Sequence, residues 1–135
     1  MPERSADWMN QAERDLAQAR WSLEGRFFEW ACFVAQQAAE KAVKAVYQAH
    51  HAIAWGHSVS NLLANLPGDS HPADDLIERA IRLDRLYIPP RYPNGFDMGS
   101  PKDYFTRRDA EEAIKDAERI IGFCRRCLSG PEKSH

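Results

Sequence analysis

Between positions 82 and 92 the chain sets three arginines and two tyrosines close together: Arg82, Arg85, Tyr87, Arg91 and Tyr92. Arginine presents a planar, permanently charged fork of donors that matches phosphate oxygens. A tyrosine ring stacks on a nucleobase while its hydroxyl donates a hydrogen bond. Interrupted by Pro89 and Pro90 and followed by Pro93, the segment reads as a nucleotide- or phosphate-binding ledge carried by Arg85, Arg91 and Tyr92, with Tyr87 and Arg82 in support. A structural use of the same residues competes with this. Arg85 can pair with a helix carboxylate such as Asp84 or Glu40, the loop then only closing the fold, and such surface pairs are common.

A second concentration of polar groups precedes it. Over residues 30 to 47 nothing breaks a helix, and alanine, the best helix former, recurs throughout. Stepping about 100° per residue, Gln36, Gln37, Glu40, Lys41, Lys44 and Gln48 fall in an arc of roughly 140°, and the remaining arc of roughly 220° is apolar. A surface helix needs an apolar stripe of only about 100°, so this helix should lie at the centre of a bundle, with Trp30, Phe33, Val34, Ala38, Ala42 and Val46 among the most buried residues. The polar face, with Gln37, Lys41 and Lys44 as its candidate site residues, has two readings. It is a solvated surface, or it faces another subunit or the arginine segment.

Other chemistry is thin. Cys124-x-x-Cys127 is half of a zinc knuckle, but a structural zinc takes four ligands and no second pair exists; Cys124 also sits on an apolar seam, so a buried thiol is the better reading. His50, His51 and His57 cluster around a turn, where an ordinary cap or loop role fits them better than a metal. No glycine-rich phosphate loop, His-Glu-x-x-His or Gly-x-Ser-x-Gly occurs. The sequence therefore points to no catalytic residue, no metal and no cofactor.

The elements that must position these residues are helices. The 135 residues suit one domain, with a core from about residue 5 to 128. A first helix is expected from about Ala6 to Leu23, capped by Ser5, with Trp8, Ala12, Leu16, Ala19 and Leu23 as its seam and Gly25 as a left-handed stop. Phe27 and Phe28 lead into the central helix as core. Trp55 to Ser58 reads as a turn, and a short helix follows near Ser60 to Leu66. Pro72 opens the first turn of a third long helix, with Leu76, Ala80, Leu83 and Tyr87 on one face and Pro89 as its stop. Roughly residues 88 to 105 form a loop whose aromatics Tyr92, Phe96, Tyr104 and Phe105 argue for packing. Thr106 and Asp109 make a capping box for the last helix, which Gly130-Pro131 ends. With no alternating run that reads as a strand, the class is all-α: an up-and-down four-helix bundle with one additional short helix.

Net charge is −2 and hydrophobic content 44%, which gives no argument for a nucleic-acid coat protein and is enough for a real core. No apolar run approaches the roughly 20 residues of a membrane span, the N-terminus lacks a signal segment, and three cysteines are an odd number. Reduced thiols in a cytoplasmic protein are the simplest reading. Four tryptophans and an aromatic loop offer more apolar surface than one small bundle need bury, which points to a homodimer.

Two stretches carry a resemblance. Phe33-x-x-Gln36-Gln37-Ala38-x-Glu40-Lys41-x-x-Lys44-Ala45 and, further on, Leu83-Asp84-Arg85-x-Tyr87-Ile88-Pro89-x-Arg91-Tyr92-Pro93 together resemble HEPN-domain proteins, of the small stand-alone prokaryotic type. The resemblance implies a helical bundle, a homodimer, nucleotide binding and a separately encoded minimal nucleotidyltransferase as partner, a pairing that often behaves as a toxin–antitoxin system. Many HEPN proteins are ribonucleases that carry an arginine followed, after four to six residues, by a histidine. None of the five histidines here has an arginine at that spacing, so the chain departs from the nuclease members where the chemistry would be done. A metal-independent ribonuclease with a non-standard site remains the alternative.

Overall fold

A computed structural model describes residues 3–129. Among them the regular structure is helical throughout: α1 Ser5–Glu24, α2 Phe28–Ala49, α3 Val59–Ala64, α4 Asp74–Asp84 and α5 Arg107–Leu128, with two single 3-10 turns at Pro93–Gly95 and Pro101–Asp103. The result is the helical bundle expected from the seams, with α3 as the additional short helix. Helix α2 is the hub: it packs on α1 and α5 and also meets α3 and α4. Its buried line is Ala31, Cys32, Ala35, Ala38, Ala39, Ala42, Val43 and Val46. Small side chains along this line let two long helices approach α2 closely, and the larger core residues come from the neighbours: Leu16 on α1, Leu62 and Leu63 on α3, Leu83 on α4, Ile120 and Ile121 on α5.

Several local expectations change. Ser5 lies inside α1 and the cap position belongs to Arg4, whose own side chain makes no cap hydrogen bond; the Glu3 carboxylate accepts from the Ser5 amide instead. Gly25 is not left-handed (φ −77°); Arg26 takes the positive φ of 68°. What favours glycine at 25 is the Phe27 ring folding back over it, since a Cβ there would stand 3.1 Å from that ring. Of the predicted core, Ala38, Ala42 and Val46 are buried, Phe33 and Val34 are half-buried, and Trp30 is 45% exposed. Phe27 is exposed as well, and Phe28 is half-buried. The alanine line is the side of α2 that α1 and α5 cover, and Trp30 projects at the corner where α1 turns into α2, meeting Phe33 edge-on at 6.2 Å.

Helix α4 stops at Asp84, ahead of Pro89, and starts after Pro72. Tyr87 is thus outside the helix. Asp84 has another duty: its carboxylate accepts from the Val59 amide at 2.6 Å and the Ser58 hydroxyl at 3.1 Å. It thereby supplements the Ser58 side chain, which accepts from the Asn61 amide and caps α3. The Thr106–Asp109 capping box on α5 forms in both directions. The loop aromatics pack as expected, Phe96 stacking on Tyr104 at 4.1 Å and meeting Phe105 edge-on at 6.4 Å. The expected stop at Gly130-Pro131 lies outside the described residues.

Candidate functional site: a basic-aromatic ledge over a buried polar network

The polar arc of α2 is not a solvated face. Gln36 is fully buried and Glu40 is 5% exposed. Gln37 Nε2 donates to the side-chain oxygen Oε1 of Gln36 at 2.8 Å, and Gln36 Nε2 in turn donates to Glu40 Oε1 at 3.1 Å and to the backbone carbonyl of His57 at 3.2 Å. The other Glu40 oxygen accepts from Lys44 Nζ at 2.9 Å and from His57 Nδ1 at 3.0 Å. Burial alone would raise the Glu40 carboxyl pKa. The hydrogen bonds from Lys44, Gln36 and His57, with the Lys44 charge, more than offset that and hold it below its ordinary value. A carboxylate kept ionised only accepts, so the His57 nitrogen facing it carries the proton, which leaves His57 Nε2 directed away from Glu40.

The proline-rich segment leans on this network from the other side. Tyr87 stacks on the His57 imidazole, centroids 4.6 Å apart and planes within 17°, and lies 6.2 Å from Phe33. Arg91 donates from Nε to the Tyr87 carbonyl at 2.8 Å. Its guanidinium sits among three rings, 4.3 Å from the centroid of Phe33, 4.6 Å from Tyr87 and 5.2 Å from Tyr92. Such cation–π contacts hold the guanidinium plane in place and leave its two terminal amino groups without a hydrogen bond to any other described residue. Tyr92 is 48% exposed. Arg85 is exposed and forms no ion pair with another described residue, so neither expected partner, Asp84 or Glu40, engages it.

The structure thus brings Arg91, Tyr87 and Tyr92 together, with Arg85 exposed on the same segment. It does not bring Arg82. That side chain turns to α5, where Asp116, itself 3% exposed, takes it in a two-pronged pair (Nε to Oδ2 3.0 Å, Nη2 to Oδ1 2.8 Å) and takes Arg79 as well. Lys41 also points elsewhere, pairing with Asp15 to tie α2 to α1; Gln37 and Lys44 belong to the network. Two members of the site escape sequence reasoning, which places Phe33 in the core and His57 in a turn. Neither carries a sequence signal for this role, because the spacing from His57 to Arg91 is far outside any local motif and only the fold closes it. Two surface depressions lie apart from the ledge, one of about 770 Å³ along α1 between Trp8 and Lys41, the other of about 420 Å³ between Trp21, Phe27 and Trp30.

All three cysteines are buried, and none is in a disulfide. Burial pushes the Cys32 thiol up to about 12 and that of Cys124 up as well, so neither is a nucleophile at neutral pH. No helix among the described residues is long and apolar enough to cross a membrane.

Fold and site together define a small all-α bundle whose central helix supports an arginine–tyrosine ledge through buried polar groups. The chain belongs to the HEPN domain family, whose profile matches residues 5–127. A Methanocaldococcus jannaschii protein named as a putative toxin is 31% identical over 123 residues, covering 84% of this chain and 81% of that protein. Among solved structures, TT1696 from Thermus thermophilus is 44% identical with a TM-score of 0.90, over 93% of this chain and 99% of that one. A HEPN domain protein of Thermotoga maritima is 41% identical with a TM-score of 0.74, over 91% and 98% of the two chains.

Proposed function

We propose that this HEPN-family chain is a small cytoplasmic interaction and nucleotide-binding module. In this reading it is a homodimer and works with a separately encoded minimal nucleotidyltransferase as one half of a toxin–antitoxin pair. The toxin part draws on the M. jannaschii relative, whose name carries that word. The observation that carries the nucleotide part is the caged Arg91: three rings and a backbone carbonyl fix its guanidinium and leave its terminal donors free. Tyr92 offers an exposed ring for a base, and Arg85 a second, unpaired fork for phosphate. Pairing with a nucleotidyltransferase draws on family membership, and association with a second copy on the exposed Trp21, Phe27 and Trp30.

Calorimetric titration with ATP and GTP tests the site. Removing a hydrogen-bonded charged partner costs about 1.5–3 kcal/mol, so Arg91→Ala should bind roughly ten- to a hundredfold more weakly, whereas Arg4→Ala, on the first turn of the chain, should bind as the unaltered protein does. Equal affinities would remove the ledge as the binding site.

One observation favours a second reading, a metal-independent ribonuclease with a non-standard site. The sequence offers no histidine four to six residues after these arginines, yet the fold stacks His57 on Tyr87 beside Arg91, and those are the side-chain types that move a proton and hold a scissile phosphate. Cleavage of a mixed RNA pool that survives chelators and disappears in both His57→Ala and Arg91→Ala would establish it. An uncut pool leaves the binding module as the reading.

A further inference from the structure

The Glu40–His57 pair lies beside the ledge, and nucleotide binding through Arg91 alone makes no use of it. His57 Nδ1 is fixed by a buried carboxylate at 3.0 Å, itself fixed by Gln36 and Lys44. This is more support than a turn residue needs. The ring is nevertheless 54% exposed, and Nε2 has no hydrogen-bond partner among the described residues. The backbone is held too: the His57 carbonyl accepts from Gln36, and Asp84 grips the amide of Val59, two residues on. An imidazole oriented at one nitrogen, open at the other and unable to swing away is an arrangement for presenting one donor to a ligand.

The neighbouring charges say what kind of ligand. His57 itself meets Glu40 from α2 and Tyr87 from the segment after α4; Lys44 shares the Glu40 carboxylate and Arg91 the Tyr87 ring, and Asp84 is occupied by Ser58, Val59 and Ser60. Lys44 and Glu40 cancel each other. His57 and Arg91 each lie 4.6 Å from the centroid of the same Tyr87 ring, and each keeps donor nitrogens without a partner among the described residues. One permanent cation, Arg91, and one histidine that gains a charge on taking up a proton match an anion of two charges. An interior phosphodiester has one; a terminal phosphate has two.

Resting on the nucleotide-binding reading above, we infer that the anion held at this ledge is a terminal phosphate monoester, gripped between the Arg91 guanidinium and a protonated His57. The step is proton uptake only: neutral His57 gains a proton at Nε2 from solvent as the phosphate dianion binds, and no covalent bond forms or breaks. A mononucleotide and the 5′-phosphate end of an RNA strand share this chemistry.

The test is calorimetry with AMP, adenosine, the dinucleotide ApA and a short RNA with and without a 5′-phosphate. Each is run near pH 7.5 in two buffers of different ionisation enthalpy, on the unaltered protein and on His57→Gln. AMP is expected to bind at least tenfold more tightly than adenosine or ApA and to take up protons from the buffer. In His57→Gln the uptake should vanish and AMP affinity fall about tenfold, with adenosine unchanged. A phosphorylated RNA that outcompetes AMP assigns the ligand to a strand end; the reverse assigns it to a free nucleotide. Because the variant disturbs the Glu40 network, the His57 ring signal is also followed by NMR in the unaltered protein, where AMP should move it toward the imidazolium position. Equal proton uptake in both proteins, an unmoved His57 signal with AMP bound, or ApA binding as tightly as AMP would overturn the inference while leaving nucleotide binding intact. ATP, GTP and AMP all failing to bind the unaltered protein would remove both.

Discussion

The middle of α2 and its first turn reverse the usual order of a helix. In the middle, Gln36 and Glu40 are 0% and 5% exposed, although glutamine and glutamate rank among the residues least often buried. At the first turn Trp30 is 45% exposed, and across the corner Trp21 is 76% exposed. The difference lies in what crosses over each part. His57 and its turn, with Tyr87 and Arg91 behind, lie across the middle, and every buried polar atom among the described residues there finds a partner. Over the corner nothing among the described residues lies, and a groove of about 420 Å³ stays open between Trp21, Phe27 and Trp30. A buried polar cluster that is fully satisfied specifies one arrangement of the elements around it. An exposed aromatic cluster specifies a surface that something else can cover.

The largest expected effect breaks the polar half of the contrast. Glu40→Ala leaves Lys44 and Gln36 without their acceptor in a site with little water, which should cost about 3–5 kcal/mol in a urea melt. A loss below about 1 kcal/mol would mean that the network merely fills space. A smaller effect sharpens the same half through pH. The Glu40 carboxyl is lowered in the folded protein relative to its ordinary value of 4.5, so its contribution is present in full above that value and fades as pH falls through the lowered one. Stability measured between about pH 3 and pH 6 should therefore fall less steeply for Glu40→Gln than for the unaltered protein. Parallel curves would assign the acid sensitivity to other carboxylates.

The smallest expected effect on folding belongs to the corner. Replacing Trp21 with serine should change the stability of the folded chain by no more than about 0.5 kcal/mol, because exposed positions away from caps and pairs rarely do more, and Trp30→Ser should cost about 0.5–1.5 kcal/mol, because Trp30 meets Phe33 edge-on at 6.2 Å. If the corner is the dimer face proposed above, each replacement should weaken self-association by about tenfold or more in sedimentation, since tryptophans near the centre of an interface typically carry about 2 kcal/mol or more. An unaltered protein that sediments only as monomer at micromolar concentration would withdraw the homodimer.

How much is legible in the sequence depends on distance along the chain. The Thr106–Asp109 capping box, the buried Cys124 and the alanine-lined hub at α2 rest on neighbours one to four residues apart or on one helical period, and they hold; the stacking of Phe96 on Tyr104, eight residues on in the same loop, holds as well. The arginine–tyrosine segment stands out by side-chain type alone, and the fold gathers its Arg91, Tyr87 and Tyr92 while sending Arg82 to Asp116 on α5. Helical phase marks an arc as polar or apolar, but not whether a distant turn will lie on it. That is why periodicity leaves Gln36 and Glu40 on a face of undecided use, and puts Trp30 in a core that never covers it.

The local code by itself determined that this chain would be helical, where four of its helices would sit and which residue types could hold a phosphate, because hydrogen bonding, capping and period act over a few residues. Only the tertiary structure decided that His57 would meet Glu40 and Tyr87. The two joining contacts span 17 residues from Glu40 to His57 and a further stretch through α3 and α4 to Tyr87. Their closure is driven by apolar burial in the bundle, with Leu63 and Leu83 carrying α3 and α4 onto the core, and no spacing rule in the sequence records that outcome.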